Sequence, residues 1–170
     1  RLLAEGVPAR FILVLVPQRT LASPYHRALQ QPTLQAGGQV TVPAELAPVL
    51  AQVPDINDFV AGMKILLKPQ GVLTLEFPHL MRLMAENQFD TIYHEHFSYF
   101  SLITTEKIFA AHGLILFDVE ELSTHGGSLR IYACQKDDDR KPSERLLDLR
   151  RREEAAGFTS LESYAGFSAQ

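Results

Sequence analysis

A helical pattern followed by a short turn and a buried strand is the feature that most constrains this chain. Residues 55–67 carry apolar side chains at the spacing of an amphipathic helix, and Asp55 is placed to cap its first turn. Pro69 and Gly71 end the helix, and residues 72–77 follow as an almost uninterrupted apolar run. Such a run is typical of a parallel strand that is covered on both faces. The pattern therefore predicts an α/β fold.

The segments around this unit predict further helices and strands. Two of the strands are separated only by residues 122–127, a loop with adjacent glycines, so we expect them to pair as an antiparallel hairpin. A charged linker, residues 136–141, then leads into polar helices that indicate the start of a second lobe. The expected helices are 79–86, 104–112, 143–154 and one from 159, and the expected strands are 114–121, 128–134 and a weaker one within 11–16.

Polar residues and a glycine mark the expected helix ends. Thr104 is placed as an N-cap, Ser143 begins a polar helix, and Thr159 with Glu162 has the spacing of a capping box. Gly113 follows the last turn of a helix, and we expect it in the left-handed conformation that terminates helices. These signals are local in sequence and do not depend on contacts with distant segments.

Composition and charge exclude several classes of protein. The 170 residues include 16 basic and 20 acidic ones, a formal net charge of −4, which does not favour a nucleic-acid partner. The single cysteine, Cys134, excludes an internal disulfide and a zinc site built from cysteines, and we expect it to be buried. The use of a single cysteine favours a reducing, cytoplasmic setting. The longest apolar run, residues 11–16, is too short to cross a bilayer, so we expect no membrane partner. The charge run at 150–154 is expected to form a solvated helix face.

The densest group of titratable side chains spans residues 93–99, with the sequence Tyr-His-Glu-His-Phe-Ser-Tyr. Histidine exchanges protons near neutral pH, a neighbouring carboxylate can orient it, and a tyrosine can donate to a developing oxyanion. A loop has little structural use for so many titratable groups, which favours a site of proton transfer over a polar surface loop.

A metal site is the alternative for the same segment. In an extended segment His94 and His96 point to the same face, as two ligands of one metal ion would. The candidates to complete the set are His79, His125 and Glu95. This alternative predicts a metal-dependent hydrolase that uses His94 and His96.

Two further groups of polar residues lie at expected strand ends. His125 begins a His-Gly-Gly-Ser turn with Arg130 close behind it, and backbone amides in such a turn can hold an anion. An ordinary hairpin turn explains the glycines equally well. Glu76 and His79 close the buried strand, and open α/β sheets bind ligands at the carboxyl ends of their strands. The alternative for Glu76 and His79 is a polar side chain that is satisfied within the fold.

Five ordered motifs resemble the S-adenosylmethionine-dependent sugar C-methyltransferases, whose members act on nucleotide-linked keto-deoxysugars. The likeness runs from about residue 49 to residue 170. It implies the second half of a class I, Rossmann-like methyltransferase sheet over 49–135, and the start of a C-terminal C-methyltransferase domain over 136–170. The motifs occupy residues 53–60, 67–72, 76–79, 88–99 and 124–130.

The resemblance implies that the chain is a fragment of an enzyme that methylates a sugar carbon after a base has generated an enolate. It implies His96 as the base, with Tyr93 and Glu95 positioning the substrate or assisting the proton transfer. It also implies S-adenosyl-L-methionine as the cofactor and a nucleotide-sugar as the substrate. The residues implied in substrate binding are His79, His125 and Arg130.

The N-terminal part of the chain departs from the family. Residues 1–48 match the family poorly, and residues 11–47 look like a stretch translated from a shifted reading frame. The family's glycine-rich cofactor turn is missing from this sequence, and Gln52 stands where the family has a histidine, as the one implied cofactor-binding residue. Zinc belongs to the family's N-terminal lobe, whose cysteines are absent here, so no metal-binding residue is assigned. We therefore expect this chain alone to bind S-adenosylmethionine poorly; a further alternative is an inactive truncated remnant.

Overall fold

The computed structural model describes residues 12–14 and 50–167. The expectations for residues 15–48, including the hypothesis of a shifted frame, lie outside the described residues. In chain order the elements are β1 Ile12–Val14, α1 Ile56–Leu66, β2 Val72–Pro78, α2 Leu80–Ala85, α3 Leu102–Ala111, β3 Leu114–Leu122, β4 Ser128–Gln135, α4 Glu144–Ala155 and α5 Glu162–Ala165. Short 3₁₀ helices span Leu50–Gln52, Phe89–Thr91 and Thr124–Gly126.

The described strands form one sheet in the order β1-β2-β4-β3. β1 runs parallel to β2, and β4 is antiparallel to both of its neighbours. The predicted α/β fold and its antiparallel hairpin are therefore confirmed. β4, the second strand of the hairpin, lies between β2 and β3, so Pro78 and Leu122 both lie opposite Ser128. The ends of β2 and β3 thus meet the start of β4 at one border of the sheet, which we call the carboxyl edge.

The helices pack on this sheet around one apolar core. α3 and α4 contact β3 and each other, and α1 contacts α3. Each large apolar side chain that is removed from water contributes about 1.5–3 kcal/mol to the free energy of folding. Because α4 supplies two leucines, the segment expected to begin a second lobe shares the core of the sheet. Fully buried members of the core include Met63, Phe77, Phe109, Leu146 and Leu149.

Several predicted helix ends are confirmed. The carboxylate of Asp55 caps α1 by accepting hydrogen bonds from the N–H groups of Asn57 at 3.1 Å and Asp58 at 3.0 Å. The hydroxyl of Ser143 caps α4. Gly113 follows α3 with a φ of +72°, the left-handed conformation that favours glycine. In each case the cap is specified by residues next to it in the sequence.

Other predictions about helix ends and exposure are wrong. α3 is capped by Ser101, whose hydroxyl accepts from the N–H of Thr104 at 3.1 Å, so Thr104 lies inside the helix. α5 begins after Leu161, which has helical backbone angles and no side-chain cap bond, so the expected capping box does not form. The 150–154 run is not a uniformly solvated face, because Glu153 within it is fully buried.

The single cysteine is buried, as predicted from the sequence. Cys134 lies on β4 and is fully buried, and this burial, together with the nearby charge of Asp138, raises the pKa of its thiol to about 11. The thiol is therefore protonated at neutral pH and behaves as a small apolar residue.

Among the described residues, the helices are too short or too polar to cross a bilayer.

Candidate functional site

The loop that carries the titratable cluster is attached to the short helix Leu50–Gln52. The buried carbonyl of Ala51 accepts hydrogen bonds from the N–H groups of Phe97 at 2.7 Å and Ser98 at 3.2 Å. Directly after the loop, Phe100 forms an isolated parallel bridge with His79, next to the end of β2. The loop is therefore fixed near the carboxyl edge of the sheet, where ligands of open α/β sheets bind.

His96 points into the molecule and is only 8% exposed. Its Nδ1 lies 3.1 Å from the carbonyl oxygen of Thr91, and because a carbonyl only accepts, Nδ1 carries the proton. Nε2 then holds a lone pair and accepts the hydroxyl proton of Tyr93 at 3.1 Å. The two rings are tilted by 35° to each other, with their centroids 4.3 Å apart. Nε2 is thereby defined as the basic nitrogen of the site.

The surroundings of His96 keep its ring uncharged. Burial lowers the pKa of the imidazole, and the charge of the nearby His125 lowers it further. The hydrogen bond to Thr91 and the charge of Glu95 act in the opposite direction, but the net effect is a pKa below 6.5. His96 is therefore neutral at pH 7, the state in which an imidazole can accept a proton.

Tyr93 and Glu95 lie on the solvent side of His96. Tyr93 is 41% exposed, and the pKa of its phenol is raised, first by burial and then by the charges of Glu95 and Tyr99. The phenol thus stays protonated and remains a hydrogen-bond donor. Glu95 is exposed and acts electrostatically on both rings. The structure brings the three predicted catalytic residues together, and their roles stay predictions.

His125 approaches this cluster from the hairpin turn. It adopts a left-handed conformation with a φ of 52°, which is uncommon for a residue other than glycine. The turn is held by Gln88, whose side-chain amide donates to the carbonyl of Gly126 at 2.8 Å. The backbone carbonyl of Gln88 also accepts from the hydroxyl of Thr91 at 2.8 Å. Gln88 therefore links the turn of His125 to the residue that orients His96, a role with no signature in the local sequence.

Arg130 lies apart from the cluster, within an ion-pair network across the sheet. On β4 it stands opposite Glu76 of β2 and Glu120 of β3, at nitrogen–oxygen distances of 3.0 and 3.5 Å. Burial opposes the charge of Arg130, but the hydrogen bond and the charge of Glu76 outweigh it and raise the pKa of the guanidinium. The predicted substrate-binding role of Arg130 stays a prediction.

His79 is 1% exposed and lies beneath α4. Its Nε2 is 2.8 Å from the carboxylate of the fully buried Glu153. The same carboxylate accepts the N–H groups of Leu102 at 2.8 Å and Ile103 at 2.9 Å, at the start of α3. Sequence reasoning missed Glu153 because its three partners are about 50 or more residues away along the chain.

Gln52, the residue implied in cofactor binding, is half-buried at the end of the short helix Leu50–Gln52. It directly follows Ala51, whose carbonyl holds the loop of His96. Within residues 50–167 and 12–14, no group of three or more histidine, cysteine, aspartate or glutamate side chains is arranged to hold a metal ion. His94 is exposed, whereas His96 is turned inward.

Comparison with known proteins identifies relatives of this chain. Residues 123–170 match the family model of the C-methyltransferase C-terminal domain. A stretch of 118 residues is 37% identical to C-methyltransferase NovU of Streptomyces niveus and covers 69% of this chain. The chain spans about 28% of the length of that relative. The two matches confirm the resemblance found in the sequence motifs and do not favour the metal-dependent hydrolase.

Proposed function

The chain belongs to the C-methyltransferase family, and on that premise we propose that it provides the proton-abstracting part of a sugar C-methyltransferase. The family gives the reaction class, transfer of a methyl group to carbon. The proposal adds a nucleotide-linked keto-deoxysugar as the substrate, S-adenosyl-L-methionine as the methyl donor and an enolate as the nucleophile. The aligned stretch covers only about 28% of the matched relative. We therefore propose the activity for a longer protein, to which this chain contributes one part.

One observation carries the proposal, namely the neutral, oriented imidazole of His96. A C–H bond next to a ketone is a weak acid, so its removal needs a base that is uncharged at neutral pH and fixed in position. His96 meets both requirements, because burial lowers its pKa and the carbonyl of Thr91 holds the proton on Nδ1. A surface histidine would lack the fixed orientation, and a larger share of it would be protonated at neutral pH.

The residues of the loop can carry the proton transfer in one step. Nε2 of His96 takes the proton from the carbon, and the electron pair of the C–H bond moves to the ketone oxygen to give an enolate. Tyr93 then directs its O–H from Nε2 to the enolate oxygen, and a protonated phenol is suited to that role. The proton remains on the imidazolium until solvent removes it. S-adenosylmethionine, when bound, supplies an electrophilic methyl group for the carbon.

The described residues alone do not amount to a cofactor site. Gln52 is the only one of them that the resemblance assigns to S-adenosylmethionine, and a single half-buried amide does not hold a nucleoside. We therefore expect weak binding of the cofactor by this chain and derive no step that depends on cofactor contacts.

We also propose a domain architecture and a cellular location for this chain. The parallel pair β1–β2 with the adjoining hairpin supports assignment of residues 49–135 to the second half of a class I, Rossmann-like methyltransferase sheet. Residues 136–170 then begin the C-terminal domain, although the family match to that domain starts earlier, at residue 123 before β4. A single buried cysteine is typical of a reducing compartment, which supports a cytoplasmic location.

Exchange of substrate hydrogen with solvent deuterium tests the base without the methyl donor. The chain is incubated in deuterium oxide with a nucleotide-linked keto-deoxysugar, and proton NMR follows the signal of the carbon next to the ketone. We expect catalysed exchange, and a His96→Gln variant should lose about 100-fold or more of it, the usual contribution of a general base.

His94→Ala is the matched control, because His94 lies in the same loop but is exposed. It should leave exchange nearly unchanged if His96 acts as a base. Equal losses in both variants, together with stoichiometric metal in the purified protein, would support the metal-dependent site instead. Unchanged exchange in His96→Gln would remove His96 from the role of base.

A further inference from the structure

Gln88 connects the end of α2 to the loop of His96, and its backbone is fixed. The preceding residue, Asn87, has a φ of 51°, and the N–H of Gln88 donates to the carbonyl of Leu83 at 3.0 Å. A bond that spans a left-handed residue in this way is the Schellman arrangement that closes a helix. Because Leu83 is only 2% exposed, Gln88 is anchored to a buried turn of α2.

The backbone carbonyl of Gln88 holds Thr91. It accepts the hydroxyl of Thr91 at 2.8 Å and the N–H of the same residue at 3.2 Å. A carbonyl oxygen has two lone pairs, so both bonds form together. The carbonyl of Thr91 in turn accepts Nδ1 of His96 at 3.1 Å. The orientation of the His96 ring therefore depends on Gln88 through Thr91.

The side chain of Gln88 points to the hairpin. Its amide nitrogen donates to the carbonyl of Gly126 at 2.8 Å and to the carboxylate of Glu86 at 2.7 Å. Both partners are acceptors without a proton to donate, so the nitrogen and not the oxygen of the amide must face them. Both N–H groups of the amide are thus in use, and the side chain cannot turn without losing both bonds.

The hairpin turn packs directly on this side chain. A Cβ atom at Gly126 would lie 2.8 Å from both Nε2 and Oε1 of Gln88, closer than a Cβ atom packs in proteins. A Cβ atom at Gly127 would lie 3.1 Å from Nε of Arg82 in α2. Both glycines also have a positive φ, +75° and +126°. The contact with residues 82 and 88 therefore gives a physical reason for the glycine pair.

His125 lies in the same turn, and its charge lowers the pKa of His96. Because His125 belongs to the hairpin, its distance from His96 depends on what holds the hairpin against the loop. Gln88 is bonded to both elements. Three further titratable groups contact the His96 ring or act on its charge from within its own loop, namely Tyr93, Glu95 and Tyr99.

We propose that Gln88 is a positioning residue that ties the turn of His125 to the loop of His96 and keeps the two histidines in one arrangement. The inference deepens the proposed function and rests on it, since the arrangement matters for the reaction only if His96 is the base. The backbone carbonyl of Gln88 serves the loop, whereas its side-chain amide serves the turn. A side-chain substitution therefore breaks the tie to the turn and leaves the tie to Thr91 in place.

Gln88→Met tests the tie, because methionine keeps the length and neutrality of the side chain but has no N–H donor. We expect the turn to move away from the loop, so that ¹⁵N-histidine NMR finds the pKa of His96 raised toward 6.5. The rate of the deuterium exchange should fall about 5-fold, the effect of one lost hydrogen bond. Gln70→Met, the same replacement in the exposed turn before β2, should change neither quantity.

A double substitution separates positioning from a general loss of packing. His125→Asn removes the imidazole with a residue that tolerates the left-handed conformation, and it should also raise the pKa of His96. If Gln88 acts through His125, Gln88→Met should add no further change in the His125→Asn chain. A change of equal size with and without His125 would overturn the proposal, because loosened packing would act in both chains.

Two further results would overturn the proposal, namely a titration of His96 that does not respond to Gln88→Met and one that does not respond to His125→Asn. The titration needs no substrate, so it is independent of the proposed reaction. If both titrations respond but His96→Gln leaves deuterium exchange unchanged, the tie between the two elements stands and the role of His96 as the base fails.

Discussion

Two regions of this molecule each bury a histidine, and they hold it by different means. In the loop near residue 96, the two hydrogen-bond partners of the ring are uncharged: a backbone carbonyl at Nδ1 and a phenol at Nε2. At the end of β2, His79 donates to Glu153, a fully buried carboxylate that α4 brings across the core. The first region is exposed on one side through Tyr93, whereas the second is closed by the helix.

The difference separates a site that can change its protonation from one that fixes the fold. Neutral partners let His96 accept a proton without breaking an ion pair, as a base must. A buried carboxylate that accepts three hydrogen bonds, by contrast, is costly to disturb, because removing it leaves donors without partners. We therefore expect substitutions around Glu153 to act mainly on stability and substitutions around His96 to act mainly on chemistry.

The largest expected effect is that of Glu153→Ala. The substitution strands the donors of His79, Leu102 and Ile103, and we expect it to lower the free energy of unfolding by about 3–5 kcal/mol. Urea denaturation followed by circular dichroism measures this loss. The control is Glu154→Ala, an exposed neighbour in the same helix that should change stability by no more than about 0.5 kcal/mol. A loss below 1 kcal/mol for Glu153→Ala would break the contrast between the two regions.

Asp118→Asn tests whether charge also anchors the other end of α4. Burial acts to raise the pKa of Asp118, but hydrogen bonds from Arg145 and Ser143 outweigh it and lower the pKa below 3.8. We expect the variant to lose about 1.5–3 kcal/mol at pH 7, typical of hydrogen bonds to a charged group. Because the folded-state pKa is lowered, this contribution is complete above the unfolded value and is lost as the pH falls through the folded one.

Urea denaturation at several pH values provides the measurement for Asp118→Asn. The stability difference between the parent chain and the variant should shrink as the pH falls below about 4. Asp139→Asn, at an exposed aspartate of the linker before α4, serves as the control and should show little difference at any pH. A pH-independent difference for Asp118→Asn would mean that its charge does not anchor the helix.

The sequence predicts the parts of both regions that depend on neighbours along the chain. Asp55 is confirmed as a cap and Ser143 as the start of a helix, because an N-cap and its amide partners lie within three residues. The same local reasoning fails at Glu153, since three arginines precede it and its partners come from other elements. It also fails to find Thr91, which orients His96 through a backbone carbonyl that every residue type possesses. The titratable residues can thus be identified from the sequence, whereas the hydrogen-bond partners that orient them cannot.

The titration of His96 tests whether the loop holds this ring in the neutral state with the proton on Nδ1. NMR of ¹⁵N-histidine should give a pKa below 6.5 and, at higher pH, a proton on Nδ1 with Nε2 unprotonated. Because the unfolded chain binds that proton more tightly, this group's contribution to stability is lost as the pH falls below 6.5. His94→Ala should leave the titration of His96 unchanged. A pKa at or above 6.5, or a proton on Nε2 in the neutral ring, would contradict the assignment of Nε2 as the base.

The smallest expected effect is that of Tyr93→Phe. The phenol donates to the neutral form of His96 at Nε2, so its removal should raise the pKa of His96 back toward the ordinary value. One hydrogen bond at a partly exposed site is worth about 0.5–1.5 kcal/mol, so the chain should stay folded and only the ¹⁵N titration should move. Tyr132→Phe is the control, since the phenol of Tyr132 donates to Glu120 on the sheet and not to His96. If the titration of His96 did not move in Tyr93→Phe, the hydrogen bond of Tyr93 would not set the basicity of His96, and the loop would resemble the region of His79 more than we propose.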